Sequence, residues 1–161
     1  ITEELCKSYH VNFGIPCVIV RLFSVYGSGL EKQLLWDGCR KLTAGTKHVN
    51  FFGTGDETRD WINVKDAASL LYHLAMNSKG YEIYNGGSGA RVKVSEVLKM
   101  LIGELGVEVG LEMGGEAKGG DPRHYWADIK KAKACGWKPE IGLDMGLKEY
   151  VAWFKERAAL S

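Results

Sequence analysis

Features that mark several classes of protein are missing from this sequence of 161 residues. Four cysteines, at positions 6, 17, 39 and 135, have no CxxC spacing, and the four histidines form no HExxH motif, so neither a zinc site nor a disulfide framework is expected. No apolar run approaches the roughly 20 residues of a membrane span, and no signal-peptide pattern opens the chain. A net charge of +1 gives no attraction to nucleic acid. The composition predicts a cytoplasmic globular protein with reduced thiols, without nucleic-acid or membrane partners.

Common catalytic motifs are missing as well. No tyrosine is followed four residues later by lysine, and no G-x-S-x-G turn occurs. The glycine-rich segments at 53–55 and 86–89 match neither the G-x-G-x-x-G dinucleotide turn nor the P-loop. What remains is a set of loops at the ends of predicted strands, where open α/β sheets bind their ligands.

Hydrophobic patterning alternates strands with helices, which predicts an α/β fold in one unit without internal repeats. Strands are predicted over 17–23, 48–52, 61–64, 81–85 and 107–113, and helices over 1–12, 33–44, 66–77, 94–105, 128–134 and 143–160. The run at 17–23 is apolar except for Arg21 and predicts a parallel strand buried on both faces. Residues 24–29 are predicted to form a loop, and Ser95 is predicted to cap a helix.

Arg59 is the most informative single residue. It follows a glycine-rich turn and precedes an apolar strand, so its planar guanidinium would be held near a strand start, where it suits a phosphate. The alternative is a surface arginine paired with a carboxylate at 56, 57 or 60. Lys118 and Arg123 flank a Gly-Gly-Asp segment that could close over an anion, or they are simply solvated charges.

Four separated segments carry a family resemblance. They read R-L-F-S-V-Y-G at 21–27, G-T-G-D-E-T-R-D-W-I-N-V-K-D at 53–66, Y-N-G-G-S-G at 84–89, and G-D at 120–121 followed by A-D at 127–128 and G-W-K-P at 136–139. In this order they resemble the C-terminal half of NAD-dependent nucleotide-sugar epimerases and dehydratases, which are extended short-chain dehydrogenases/reductases typified by UDP-glucose 4-epimerase. The resemblance covers essentially the whole chain.

This resemblance implies an α/β fold that combines a C-terminal substrate-binding part with the last strands of a Rossmann-like domain. Residues 1–30 and 81–106 resemble the end of the Rossmann part, and 31–80 and 107–161 resemble the substrate-binding part. The family's catalytic Tyr-x-x-x-Lys helix continues as K-x-x-x-E-x-L, which Glu3-Glu4-Leu5 fits, so the catalytic lysine would fall just before Ile1. The expectation is a chain without its N-terminal dinucleotide-binding half; a true helix start at the two glutamates is the alternative.

Carried over residue by residue, the resemblance implies a nucleotide-sugar site. Arg59 matches the arginine that contacts the diphosphate of the substrate. Lys118 stands where many members have a second phosphate-binding arginine, although lysine lacks the planar fork. Asp121 matches an aspartate near the nucleotide ribose.

Further positions match the parts of the family site that surround the nucleotide. Asn50 and Phe52 match positions flanking the base, and Phe52 could equally belong to the core. Gln33 and Leu34 fall on the segment that contacts the nucleotide.

Two positions near the first predicted strand end depart from the family pattern. Ser24 replaces an asparagine that helps to hold substrate phosphate, so its shorter hydroxyl would need a bridging water. Ser28 replaces a proline, which leaves that loop less rigid. Leu22 and Phe23 match the place where the chain passes the nicotinamide ring, or they form a buried strand end.

The resulting interpretation is the nucleotide-sugar-binding half of an NAD-dependent sugar epimerase or dehydratase, not catalytic alone. NAD is expected in complete relatives but not on this chain by itself, and no catalytic residue or metal site is assigned. One alternative is a non-catalytic interaction module that buries its exposed apolar surface in a homo-oligomer. The other is one half of a split enzyme that pairs with a separate Rossmann chain.

Overall fold

A computed structural model describes residues 1–115, 120 and 122–159. Helices and short strands alternate along the described chain. The helices are α1 (Thr2–Phe13), α2 (Gln33–Leu42), α3 (Val64–Asn77), α4 (Val94–Leu105), α5 (Lys130–Ala134) and α6 (Leu143–Ala159). The strands are β1 (Cys17–Leu22), β2 (Ser24–Tyr26), β3 (His48–Phe51), β4 (Thr58–Arg59), β5 (Trp61–Asn63), β6 (Tyr81–Gly86), β7 (Val92–Lys93) and β8 (Gly110–Met113).

Strand pairing is mostly parallel, which confirms the predicted α/β class. β1 pairs with β6, β2 with β5, and β3 with β8, all in parallel. The short strands β4 and β7 pair antiparallel. Because parallel neighbours need a crossover, each parallel pair is joined through at least one helix.

Two hydrophobic clusters hold these elements together. The larger lies among α2, α4 and α6 and includes the fully buried Leu98, Leu101 and Leu147. The smaller lies beneath α3 and includes Ile62 and Leu70. β2 and β5 contribute to both clusters, since Tyr26 and Trp61 belong to the first, and Ile62 belongs to the second with Val25 packed against it.

Two local predictions are wrong. The first three residues of the predicted loop at 24–29 form β2, because the Ser24 N–H donates to the Asp60 carbonyl at 3.0 Å and so pairs this segment with a distant strand. Ser95 is not a helix cap, because α4 begins one residue earlier with Lys93 as its N-cap. The Glu96 carboxylate accepts from the Lys93 N–H at 3.3 Å and fills the capping role from inside the helix.

The prediction that β1 is buried on both faces is also wrong for the described residues. Its side chains are only half-buried, and Leu22 is 45% exposed. The preceding helix α1 contributes no buried residue, and its Leu5, Tyr9 and Phe13 are all exposed. The strand and the helix therefore leave several apolar side chains exposed. None of the described helices combines the length and the hydrophobicity that crossing a membrane requires.

Candidate functional site

The candidate site lies where one stretch of chain changes its strand partner. The Phe23 N–H donates to the Gly86 carbonyl at 2.9 Å, which completes the pairing of β1 with β6. The next residue, Ser24, begins the pairing of β2 with β5. This change of partner, called the strand switch below, lies at the carboxyl end of β1, and ligands of open α/β sheets bind at the carboxyl ends of their strands.

A cavity of about 1170 Å³ opens at the strand switch. Its walls come from β2 and the loop after it, the start of α2, the residues after β3, and the segment around residues 123–125. Trp61 is buried in the wall, and its indole N–H has no hydrogen-bond partner among the described residues. Tyr26 also lines the cavity, and burial raises its pKa to about 12, so its phenol stays protonated and is no base near neutral pH.

The loop between β2 and α2 depends on unusual backbone conformations. Gly27 has φ 152°, and a Cβ there would overlap the Val64 side chain, so only glycine allows this approach. Gln33, the first residue of α2, has φ 66° and is the one non-glycine residue with positive φ in the described part of the chain. A left-handed conformation costs such a residue about 1 kcal/mol or more, and strain of this kind clusters at binding sites.

Arg59 lies in the cavity wall, and one of its guanidinium nitrogens, Nη1, is hydrogen-bonded within the protein. Nη1 donates to the carbonyl oxygens of Thr58 at 3.0 Å and Arg123 at 3.4 Å. The guanidinium carbon lies 5.1 Å from the centre of the Tyr125 ring. No carboxylate within the described ranges pairs with Arg59, so the alternative of a surface ion pair is wrong for those residues.

The three carboxylates near Arg59 in sequence each have other partners. Asp56 forms an ion pair with Lys93 at 2.8 Å. Glu57 accepts hydrogen bonds from the Thr54 N–H at 2.9 Å, the Thr54 hydroxyl at 3.1 Å and the Gly55 N–H at 2.9 Å. The hydrogen bond from the Thr54 N–H is the largest cause of a lowered pKa for Glu57. The glycine turn is thus closed by its own carboxylate, and those two N–H groups are not free for an outside anion.

Asp60 is fully buried and joins three segments around the site. Its Oδ1 accepts from the N–H of Ser88 at 2.6 Å and from the Ser88 hydroxyl at 2.7 Å. Its Oδ2 accepts from the N–H groups of Gly89 at 2.9 Å and Ala127 at 3.0 Å. Asp66 acts similarly on the N–H groups of Glu140 and Ile141. The two buried aspartates of the 53–66 motif, Asp60 and Asp66, therefore hold the fold in place.

The structure brings most of the residues proposed from the sequence to this cavity. Six of the ten line it: Ser24, Gln33, Leu34, Phe52, Arg59 and Phe23. Asn50 lies on β3 with an exposed side chain, and Leu22 ends β1; neither lines the cavity. Lys118 and Asp121 lie outside the described residues. Phe52 is 88% exposed, so the alternative that it belongs to the core is wrong. The roles of all ten stay predictions.

Sequence reasoning did not assign a role to Tyr125, which lines the same cavity. Its hydroxyl lies 3.3 Å from the Ser24 hydroxyl, and its ring centre lies 5.2 Å from that of Phe23. The available signal was an aromatic residue just before the Ala127-Asp128 motif, but a lone tyrosine in a loop does not show what it contacts. Among the described residues no cluster of His, Cys, Asp or Glu could hold a metal ion.

Comparison with known proteins places this chain in a family. The model of the NAD dependent epimerase/dehydratase family matches residues 1–87, which is more than half of the chain. The chain belongs to the NAD dependent epimerase/dehydratase family. A related member is the UDP-glucuronate 4-epimerase of Thermodesulfobacterium geofontis, 32% identical over 160 residues, which cover 98% of this chain and 49% of that protein.

Solved structures of the family have the same fold. The UDP-glucose 4-epimerase of Thermotoga maritima, determined with UDP-glucose, matches with a TM-score of 0.88 at 27% identity over 98% of this chain and 52% of that one. MoeE5 in complex with UDP-glucose and NAD matches with a TM-score of 0.85 at 28% identity over 99% of this chain and 54% of that one. The chain spans about half the length of the curated family members it matches.

Proposed function

We propose that this chain is the nucleotide-sugar-binding half of an NAD-dependent sugar epimerase or dehydratase, corresponding to the C-terminal half, and that the cavity at the strand switch holds the nucleotide sugar. Residues 1–30 and 81–106 then supply the last part of the Rossmann-like unit, and residues 31–80 and 107–161 the substrate-binding part. The chain spans about half the length of its relatives, so the activity, substrate and cofactor are proposed for a complete enzyme that includes this half. We expect that enzyme to be cytoplasmic.

The observation that carries the proposal is the position of Arg59. Nε and Nη2 have no hydrogen-bond partner among the described residues, and no described carboxylate forms an ion pair with Arg59; Glu57 lines the same cavity but accepts from Thr54 and Gly55. A cation with free donors in a concave wall suits a ligand with paired anionic oxygens, such as a diphosphate. Arg123 lines the same cavity and adds a second positive charge.

The remaining walls suit the rest of a nucleotide sugar. Phe52 exposes its ring at the cavity and offers a flat surface to a base. Gln33 presents an amide next to the apolar Leu34, and Ser24 a hydroxyl near Arg59. Polar groups thus surround an apolar patch within one cavity, as in most small-molecule sites.

NAD is the cofactor of the family, and MoeE5 holds it together with UDP-glucose. When bound, NAD accepts a hydride from the sugar and returns it. Leu22 is half-exposed at the end of β1 and could border a nicotinamide ring. The described residues fit the rest of NAD poorly, because no glycine-rich turn among them follows the dinucleotide pattern at a helix start. We therefore expect no useful NAD affinity from this chain alone.

The exposed apolar surface on α1 supports a second proposal, that the chain associates with another polypeptide. Leu5, Tyr9 and Phe13 recur at a spacing of four on one side of that helix, and all three are exposed. A Rossmann half or a second copy of this chain would cover them. A non-catalytic interaction module is the alternative function that the same surface supports.

A thermal-shift experiment with a panel of UDP-, dTDP- and GDP-sugars tests the ligand. We expect at least one to stabilise the wild-type chain, and Arg59→Ala to weaken that binding by about 1.5 to 3 kcal/mol, the range for hydrogen bonds to charged groups. Arg59→Lys should keep only part of the wild-type affinity, because lysine lacks the planar guanidinium that donates two parallel hydrogen bonds. The control is Arg40→Ala, the same substitution at an exposed arginine of α2 that does not line the cavity. Equal ligand shifts in wild type and Arg59→Ala would contradict the proposal.

A further inference from the structure

Tyr125 contacts three side chains of the cavity wall at once. The Arg59 guanidinium lies over its ring, the Phe23 ring packs against it at 5.2 Å between ring centres, and the Ser24 hydroxyl lies 3.3 Å from its own hydroxyl. Its N–H also donates to the Thr58 carbonyl at 3.4 Å. Both the ring and its backbone are thereby tied to the segment that carries Arg59.

These contacts determine which donors of Arg59 remain for a ligand. Of the five N–H groups of a guanidinium, the two on Nη1 face the carbonyl oxygens of Thr58 and Arg123. The guanidinium carbon lies over the ring of Tyr125, 5.1 Å from its centre. The edge formed by Nε and Nη2 has no partner among the described residues, and its two parallel donors match two oxygens of a phosphate.

Holding the guanidinium in advance changes what ligand binding costs. A free arginine side chain has many rotamers, and a ligand that fixes them loses affinity to the entropy of ordering. An arginine already held by two carbonyls and a ring loses less. The ring also keeps its electron-rich face against the cation, an attraction that strengthens when water is excluded.

We propose that Tyr125 is a positioning residue of the cavity, which holds Arg59 so that its Nε and Nη2 edge stays available to an anionic ligand. The hydroxyl contact with Ser24 and the contact with Phe23 restrict the rotation of the tyrosine ring. The ligand part of this inference rests on the proposed function, because it takes the anion to be the diphosphate of a nucleotide sugar.

A second arginine–aromatic pair in the adjoining sequence provides a matched control. Arg91 lies 5.1 Å from the centre of the Trp126 ring, the same distance as in the Arg59–Tyr125 pair. Trp126 is 49% exposed, and neither residue of this second pair lines the cavity. Truncating Trp126 removes a similar arginine–aromatic contact outside the cavity and leaves the hydrogen bond from Arg91 Nε to the Thr58 hydroxyl, at 3.0 Å, in place.

The test is a double-mutant cycle read by calorimetric titration with UDP-glucose and with inorganic pyrophosphate. Tyr125→Leu should weaken binding about three- to tenfold, the equivalent of one cation–π contact. Tyr125→Phe keeps the ring and should stay within about threefold of wild type, and Trp126→Leu should bind like wild type. In an Arg59→Ala background, Tyr125→Leu should have no further effect, since Tyr125 acts through Arg59.

Different outcomes contradict the positioning role and the proposed function. If Arg59→Ala weakens binding but Tyr125→Leu does not, or if the two effects add fully, Tyr125 does not position Arg59. If the wild type binds neither probe, the proposed function fails, and NMR of the free chain still decides the inference. The Arg59 Nε–H and Cδ–H resonances should carry a ring-current shift that Tyr125→Leu abolishes and Tyr125→Phe retains; identical resonances in wild type and Tyr125→Leu overturn it.

Discussion

Replacing Asp60 by asparagine should destabilise the chain strongly, although the two side chains have nearly the same shape. Oδ1 accepts two hydrogen bonds from Ser88, and Oδ2 accepts two more, from the N–H groups of Gly89 and Ala127. An amide has only one oxygen, so its NH₂ group faces either the N–H groups of Gly89 and Ala127 or the N–H and hydroxyl of Ser88. The hydroxyl can rotate to accept, so at least one hydrogen bond is lost with donor facing donor, in a site with no exposure to water.

The expected cost follows from the burial of those donors. An N–H left buried without a partner costs about 1 to 3 kcal/mol. One unpaired N–H, together with the weakening of the remaining bonds from a charged to a neutral acceptor, gives a total of roughly 2 to 4 kcal/mol around this fully buried side chain. Domains of this size unfold at a cost of only about 5 to 15 kcal/mol, so Asp60→Asn would remove much of that stability.

Urea unfolding followed by tryptophan fluorescence measures this loss directly. Asp56→Asn is the matched control, because Asp56 undergoes the same change in an exposed ion pair with Lys93 and should alter the unfolding free energy by less than about 1 kcal/mol. The reasoning is refuted if Asp60→Asn unfolds within about 0.5 kcal/mol of wild type, the range of ordinary surface substitutions.

Three other predictions concern different parts of the fold. The pKa of Glu57 in the folded chain lies below its usual 4.5, so the unfolded chain takes up the proton first as the pH drops. The free energy of unfolding should therefore fall as the pH drops from 4.5 through the folded-state pKa, and it should fall less steeply in Glu57→Gln. Equal slopes in the two proteins would contradict this. Gly146→Ala places a Cβ against the Tyr26 hydroxyl and should cost about 1 to 3 kcal/mol in urea unfolding, whereas Gly103→Ala, with open space around it, should stabilise α4 by up to about 1 kcal/mol. Light scattering should show association that grows with concentration and falls in a Leu5→Lys/Phe13→Lys variant; a monomer at all concentrations would count against the exposed surface being a contact.

The helices and the longer strands could be predicted from the sequence because each carries its own hydrophobic period. The strands β2, β4 and β7 contain only two or three residues, and such segments have no measurable period. Their strand character comes from distant partners, as when Thr58 and Arg59 pair with residues 92–93. Pairing with distant strands therefore determines the secondary structure of these short segments, which the local sequence pattern does not determine.

Residues of the candidate site could likewise be predicted only where they belong to a local sequence pattern. Arg59 and Ser24 belong to contiguous motifs, so their neighbours in the sequence identify them. Tyr125 reaches Ser24 across 101 residues, and no local pattern records that contact. The burial of Asp60 and its four hydrogen bonds likewise depend on loops at 87–89 and 127 that the sequence does not show to be adjacent.

The central claim, that the cavity at the strand switch binds a nucleotide sugar, is tested most directly by NMR titration of the ¹⁵N-labelled chain with UDP-glucose. The account predicts saturable chemical-shift changes at the amides of residues 24–29, 33–34 and 52–53 and at the Arg59 side chain, all of which line the cavity. The amides of α1, which lies outside the cavity, should not move. Unchanged spectra at millimolar UDP-glucose, or changes confined to α1, would contradict the claim.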